Sequence, residues 1–244
     1  MKLFYSPFHT FVHKVLVTAH ECGHWGDLER VATFPFKDNA GDDCGDAYDI
    51  SALNPLDKVP TLVTDDGQPV FGSQTICEYL DSTSRARRMY PEPGPKRWDA
   101  LSRMSLCDTI FESTVQMVME QWKPEAEWNL HLFNWLWPKF NAGLDSLERS
   151  AVRGWDDFDI GHASMLHAIS YLGFRAEFYE AKDPVYPDYN WRKGRPALTE
   201  WFEQAVQRPS VQSHFNQPFD GDSSAAACQS AVRECLALRA AHLQ

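Results

Sequence analysis

The chain has no C-x-x-C pair among its six cysteines, which fall at positions 22, 44, 77, 107, 228 and 235 without paired spacing. That scatter argues against a disulfide framework and for a reducing, cytoplasmic compartment. Cys77 and Cys107 lie in apolar helical patterns, where thiols behave as small hydrophobes. No apolar run is long enough to span a bilayer, and Met1-Lys2-Leu3-Phe4-Tyr5-Ser6-Pro7 reads as a short strand stopped by proline, not a signal h-region. Basic residues are scarce. The 23 Lys and Arg face 34 Asp and Glu, a formal charge of −11, which disfavours nucleic acid or an anionic membrane as partner. No internal repeat is visible. What remains is an ordinary globular composition with nine tryptophans to fill a core, in 244 residues that allow one large domain or two small ones.

The two parts of the chain differ in pattern. Residues 2–5 alternate into a strand, and a helix follows from about Thr10 to Cys22 with Val12, Val15, Leu16 and Ala19 on one face. A second strand is expected over Leu28–Thr33, then a polar stretch with a short helix between Phe36 and Ile50. Thr61–Thr64 and Val70–Phe71 bracket Asp65-Asp66-Gly67-Gln68, an Asp-Gly turn signal, and Ser73–Asp81 reads as helix. Beyond Pro91, Pro93, Gly94 and Pro95 the strand signals nearly vanish. Helices are expected at about 96–122, 125–149, 159–174 and 196–207, with Asp159 as the N-cap of the third. The division is 1–84, a linker over 85–95, a helical domain over 96–215 and a tail over 216–244 that ends in an Ala-rich segment of good helix propensity.

Lys58-Val59-Pro60-Thr61-Leu62, followed by Gly72-Ser73-Gln74-Thr75-Ile76, is the most informative stretch. Proline directly before an apolar strand removes a ladder donor and restricts its neighbour. A cis Val59–Pro60 bond would turn the backbone N–H and C=O of Val59 away from any sheet partner. Serine at the start of the next helix adds free N–H groups and the positive end of a dipole, which suit a carboxylate. Together these features make a small peptide-binding edge.

The strand-helix order with a proline-preceded third strand, joined to an all-helical domain, resembles the cytosolic glutathione transferases. The resemblance is carried by Tyr5-Ser6-Pro7 with Phe11-Val12 and Lys14-Val15, by Asn54-Pro55, by Val59-Pro60-Thr61-Leu62, and by Ser73, Ile76-Cys77 and Tyr79-Leu80. Weaker second-domain matches are Leu144-Asp145, Leu147-Glu148 and Arg208-Pro209-Ser210. It implies an α+β thioredoxin-like domain followed by an all-α helical bundle, usually as a homodimer. It implies glutathione as co-substrate, with Val59, next to Pro60, paired to the cysteinyl backbone, Ser73 on the γ-glutamyl carboxylate and Lys58 near the glycyl end. A small hydrophobic electrophile would sit between the domains against Phe111 and Val115. No metal, nucleic acid or membrane is implied.

Three positions depart from the family pattern. Such enzymes need a thiolate, and lowering a thiol from a pKa of about 8.5 by two units takes about 2.7 kcal/mol of preferential anion stabilisation. A helix N-terminus supplies up to ~2 kcal/mol and a hydrogen bond to the charged sulfur about 1.5–3 kcal/mol, so one donor suffices. Relatives place Ser or Cys where this chain has His9, followed by Thr10. These two are the candidate catalytic donors, with Ser6 or Tyr5 as further possibilities. Gly72 stands where relatives usually carry a carboxylate for the γ-glutamyl amine, and Asp159-Ile160-Gly161-His162 has His where Asp is common. Loss of the first carboxylate, together with His9, supports an alternative: a non-catalytic binding or scaffold protein on the same fold. His20-Glu21-Cys22-Gly23-His24 also fits the H-E-x-x-H zinc-hydrolase pattern, but Gly23 is placed to end the helix that pattern requires.

Overall fold

The computed structural model describes residues 1–5, 10–32, 50–120, 123–178 and 190–215. They form two compact units, one of Met1–Met89 with Pro209–Phe215, the other of Tyr90–Arg208. The expected helix between residues 36 and 50 and the tail over 216–244 lie outside the described residues.

In the first unit, β1 (Lys2–Tyr5) runs into α1 (Thr10–Glu21), β2 (Glu29–Ala32), β3 (Thr61–Val63), β4 (Pro69–Phe71) and α2 (Ser73–Ser82). The sheet order is β2-β1-β3-β4, with β1 parallel to β2 and antiparallel to β3. This is the thioredoxin-like arrangement: a βαβ crossover followed by an antiparallel hairpin. The turn between β3 and β4 is closed by the Thr64 N–H donating to the Gln68 carbonyl at 3.0 Å and the Gln68 N–H donating to Thr64 Oγ1 at 3.0 Å. The face of α1 read from periodicity is the buried one: Val12, Val15, Leu16 and Ala19 join Leu3, Leu62, Ile76 and Leu80 in the core.

The second unit contains α3 (Pro95–Glu120), a short 3-10 turn (Glu125–Glu127), α4 (Leu130–Arg153), α5 (Ile160–Phe178) and α6 (Pro196–Ala205). Helix α3 packs on α4 and α5, and α4 packs on α6. The sequence motif around Leu144 finds its use here. Asp145 accepts from Arg195 Nε at 2.8 Å, and Glu148 accepts the N–H groups of Ala197 and Leu198 at 3.2 and 2.7 Å, capping α6 from a neighbouring helix.

One helix falls elsewhere than expected. Residues 209–215, assigned above to the helical domain, form α7 (Pro209–Phe215), which packs on α1 in the first unit. Pro209 opens the helix, and the hydroxyl of buried Ser210 donates to Glu21 Oε1 at 2.6 Å. Periodicity over seven residues is too short to reveal this attachment.

Asp159 caps α5 as expected, its Oδ1 accepting the His162 N–H at 3.1 Å. The His162 side chain reaches back, with Nδ1 at 3.1 Å from the Asp159 backbone nitrogen and 2.9 Å from its Oδ1. Protonated there, the ring donates to the carboxylate; deprotonated, it accepts from the N–H, as Glu or Gln does in a capping box. Rings of Trp155, Phe158 and Trp201 surround the imidazole, and Arg103 of α3 binds Asp159 at 2.8 Å. Burial pushes the His162 imidazole below its ordinary value despite the opposing pull of Asp159. Asp159 is raised by burial, but its contacts with His162 and Arg103 outweigh that and hold the carboxyl below its usual range.

Because the unfolded chain protonates this histidine first, its contribution to stability is complete above about pH 6.5 and declines as the pH falls from there toward the depressed folded value. The limiting slope for one proton is about 1.4 kcal/mol per pH unit, and Asp159 stays ionised across that window. His162→Gln keeps an acceptor at the cap but cannot titrate. Thermal melts between about pH 7 and 5 should lose this component of the slope in the variant. An identical slope in both proteins would mean that His162 takes up its proton alike in the folded and unfolded chains.

Candidate functional site

Three chain segments open at one end of the first unit's sheet. Register pairs Phe4 with Thr61 and Thr61 with Phe71, so β1 ends, β3 begins and β4 ends on the same side. Val59-Pro60 enters β3 there, and Gly72-Ser73 leaves β4 there. Tyr5 is the last residue of β1, and α1 begins at Thr10. His9 lies outside the described residues, as do Ser6 and Pro7; for Thr10 the described part is its backbone, the first of the helix.

The Val59–Pro60 bond is cis. The Val59 side chain is buried and packs with Phe4 and Ile50, so this residue is anchored from inside the core. Among the described residues, neither its N–H nor its carbonyl takes a hydrogen bond. The preceding loop is held by two buried side chains. Asn54 Nδ2 donates to the Lys58 carbonyl at 2.8 Å and to Thr61 Oγ1 at 3.1 Å, while its Oδ1 accepts the Leu56 N–H at 3.0 Å. Thr61 Oγ1 donates to the same Lys58 carbonyl at 2.8 Å. The Lys58 side chain is exposed and makes no ion pair among the described residues.

Across the hairpin, Gly72 is the N-cap of α2 with φ of 85°, a conformation that glycine adopts without strain, and it has no side chain to cap the helix itself. Ser73 is the first helical residue, not the cap, so its hydroxyl is not used as a simple N-cap. It is 9 % exposed, and its hydroxyl has no hydrogen bond among the described residues. No acidic residue occupies the first turn. The Val59 amide and carbonyl, without partners among the described residues, therefore share the sheet end with the Ser73 hydroxyl at the positive terminus of α2. Such a pair can take an extended peptide by strand-like pairing and hold its carboxylate beside it.

In the second unit, Phe111 is 3 % exposed and packs edge-on against His167 and Tyr171, while Val115 is half-buried one turn later on α3. The residues of the H-E-x-x-H pattern are each engaged separately. Helix α1 ends at Glu21, Gly23 follows with φ of 78°, and His24 Nε2 lies 3.0 Å from the Leu80 carbonyl. Glu21 binds Ser210, and His20 stacks at a tilt on Trp25. Cys22, between them, is buried, and burial raises its thiol pKa to about 11, above any range suited to a nucleophile.

Asn54 and Thr61 were quoted above as parts of motifs, without roles. The signal that marks them is polarity: each flanks an apolar segment at a place where burial demands partners.

Residues 9–83 match the model of the glutathione S-transferase N-terminal domain. The chain is 29 % identical over 213 residues to an uncharacterized GST-like protein, YibF, of Escherichia coli (strain K12), covering 86 % of this chain and 96 % of that protein. A glutathione transferase family member from Pseudomonas fluorescens Pf-5, solved with bound glutathione, superposes with a TM-score of 0.73 at 29 % identity, over 87 % of this chain and 97 % of that one. A glutathione S-transferase from Methylobacillus flagellatus KT, solved with GSH bound, shares the fold at a TM-score of 0.74 and 22 % identity, over 87 % and 98 % of the two chains. With a thioredoxin-like sheet and a cis-proline entry to β3, residues 9–83 match the N-terminal domain of the glutathione S-transferases, and most of the chain is similar to proteins of that family.

Proposed function

We propose that the protein is a glutathione-dependent transferase that presents the thiolate of glutathione to a small hydrophobic electrophile. The observation that carries this reading is the pairing, at one sheet end, of groups without hydrogen-bond partners among the described residues: the Val59 amide and carbonyl, and the Ser73 hydroxyl at the start of α2. The cysteinyl backbone pairs with Val59, and the γ-glutamyl carboxylate lies on Ser73 and the helix end. The exposed Lys58 ammonium meets the glycyl carboxylate. The sulfur then lies toward the start of α1, where His9 or Thr10 donates to it. A neutral imidazole can serve, because a positive helix end holds its proton loosely. The electrophile is placed against α3 at Val115, with Phe111 on the same helix face. No metal is needed for this chemistry. A reduced cytoplasmic setting and a homodimer complete the proposal.

A second reading, a binding or scaffold protein without catalysis, is favoured by Gly72. This residue leaves the γ-glutamyl amine without a carboxylate partner, a loss of about 1.5–3 kcal/mol of charged hydrogen bonding. Retention on immobilised glutathione without turnover would favour binding alone, and failure to be retained or heat-stabilised by millimolar glutathione would favour a scaffold.

Ser73→Ala should weaken glutathione by about ten- to a hundredfold in a calorimetric titration, the equivalent of one hydrogen bond to a charged group. Unchanged affinity would remove Ser73 from the site. His9→Ala and Thr10→Ala separate the two donors. The true one should cut turnover of a chlorodinitrobenzene-type substrate by about tenfold or more, and raise the pH at which the thiolate forms. If neither variant loses activity, the sulfur is activated elsewhere.

A further inference from the structure

We propose that Asn54 and Thr61 are positioning residues that aim the Val59 N–H at the ligand by fixing the peptide plane between Lys58 and Val59. The inference rests on the reading of glutathione as the peptide that pairs with Val59.

A trans peptide is planar, with its C=O and N–H pointing in opposite directions. The Lys58–Val59 bond is trans, the cis bond being the next one along. The Lys58 carbonyl receives two buried donors, Asn54 Nδ2 and Thr61 Oγ1, each at 2.8 Å. Those donors belong to side chains that are 3 % and 0 % exposed. The carbonyl therefore points toward the interior, and the Val59 N–H on the same plane points away from it. Each end of the unit is pinned separately. On the loop side, Asn54 Oδ1 holds the Leu56 N–H at 3.0 Å, and the Asn54 carbonyl accepts the Asp57 N–H at 2.8 Å, with Asp57 in the left-handed region at φ 48°. On the strand side, the Val59 side chain packs on Phe4 and Ile50. Asn54 Nδ2 also donates to Thr61 Oγ1 at 3.1 Å, so the two side chains orient one another. An amide held in its binding direction before the ligand arrives loses little freedom on binding.

The test uses the full chain labelled with 15N. Thr61→Val removes the hydroxyl, Thr61→Ser restores it, and Asn54→Ala removes the other donor. Melting of each free variant checks that it is folded. In the wild type, glutathione should move the Val59 amide proton downfield as it becomes a donor. Thr61→Val and Asn54→Ala should weaken glutathione by about three- to tenfold and shrink that shift, the size of one neutral hydrogen bond, and Thr61→Ser should recover both. A folded Thr61→Val protein with wild-type affinity and an unchanged Val59 shift would overturn the proposal. If the wild type itself fails to bind millimolar glutathione, the functional reading falls separately. The residual dipolar coupling of the Val59 N–H in the free chain then decides: the proposal requires it to change in Thr61→Val, and an unchanged coupling refutes it.

Discussion

One backbone carbonyl, that of Lys58, organises the candidate site. It takes hydrogen bonds from two side chains that have no access to water, and an unpaired buried amide or hydroxyl would cost about 1–3 kcal/mol, so neither donor can easily leave. The consequence runs outward from the core. The loop from Asn54 to Pro60 is held from within, and its outer edge is left with main-chain groups that nothing in the described protein uses. Most buried backbone groups in proteins are paired, so main-chain groups of Val59 without partners among the described residues stand out beside the doubly bonded Lys58 carbonyl.

The helix termini sharpen the same contrast. Helix α4 is capped by Asn129, whose side chain accepts the Leu132 N–H at 3.2 Å, α5 by Asp159, and α6 by Glu148 reaching across from α4. The N-cap residue of α2, Gly72, has no side chain to offer, and no acidic residue lies in the first turn. An N-cap side chain is worth about 0.5–2 kcal/mol. This terminus lies at the hairpin end shared with Val59, where an incoming carboxylate could serve as a cap.

Much of this was legible in the sequence because it rests on local chemistry. The strands, the buried face of α1, the Asp-Gly hairpin, the proline-preceded β3 and the Asp159 cap follow from periodicity and from residues that interact with near neighbours. What could not be read depends on partners far apart in the chain. Ser210 meets Glu21 across 189 positions and draws α7 to the first unit. Glu148 caps a helix that begins some fifty residues later. Gly72, legible only as a missing carboxylate, also takes the cap position of α2, which moves Ser73 into the helix proper. The roles of Asn54 and Thr61 stayed hidden because hydrogen bonding to a carbonyl four and three residues away depends on loop geometry that composition does not encode.

In the proposed arrangement, two departures from the glutathione transferase pattern would act on different parts of the ligand. Gly72 would bear on how firmly the γ-glutamyl end is held, since it brings no charge while giving the backbone an unstrained path at φ of 85°. His9 would bear on the sulfur of the central cysteinyl residue. Main-chain groups of buried Val59 and a buried Ser73 hydroxyl without partners among the described residues cost stability unless a ligand meets them, which favours the binding reading over a scaffold. Under the proposed function, the imidazole of His9 would then stand in for the usual hydroxyl or thiol as donor to the sulfur, since a neutral imidazole keeps one N–H to give.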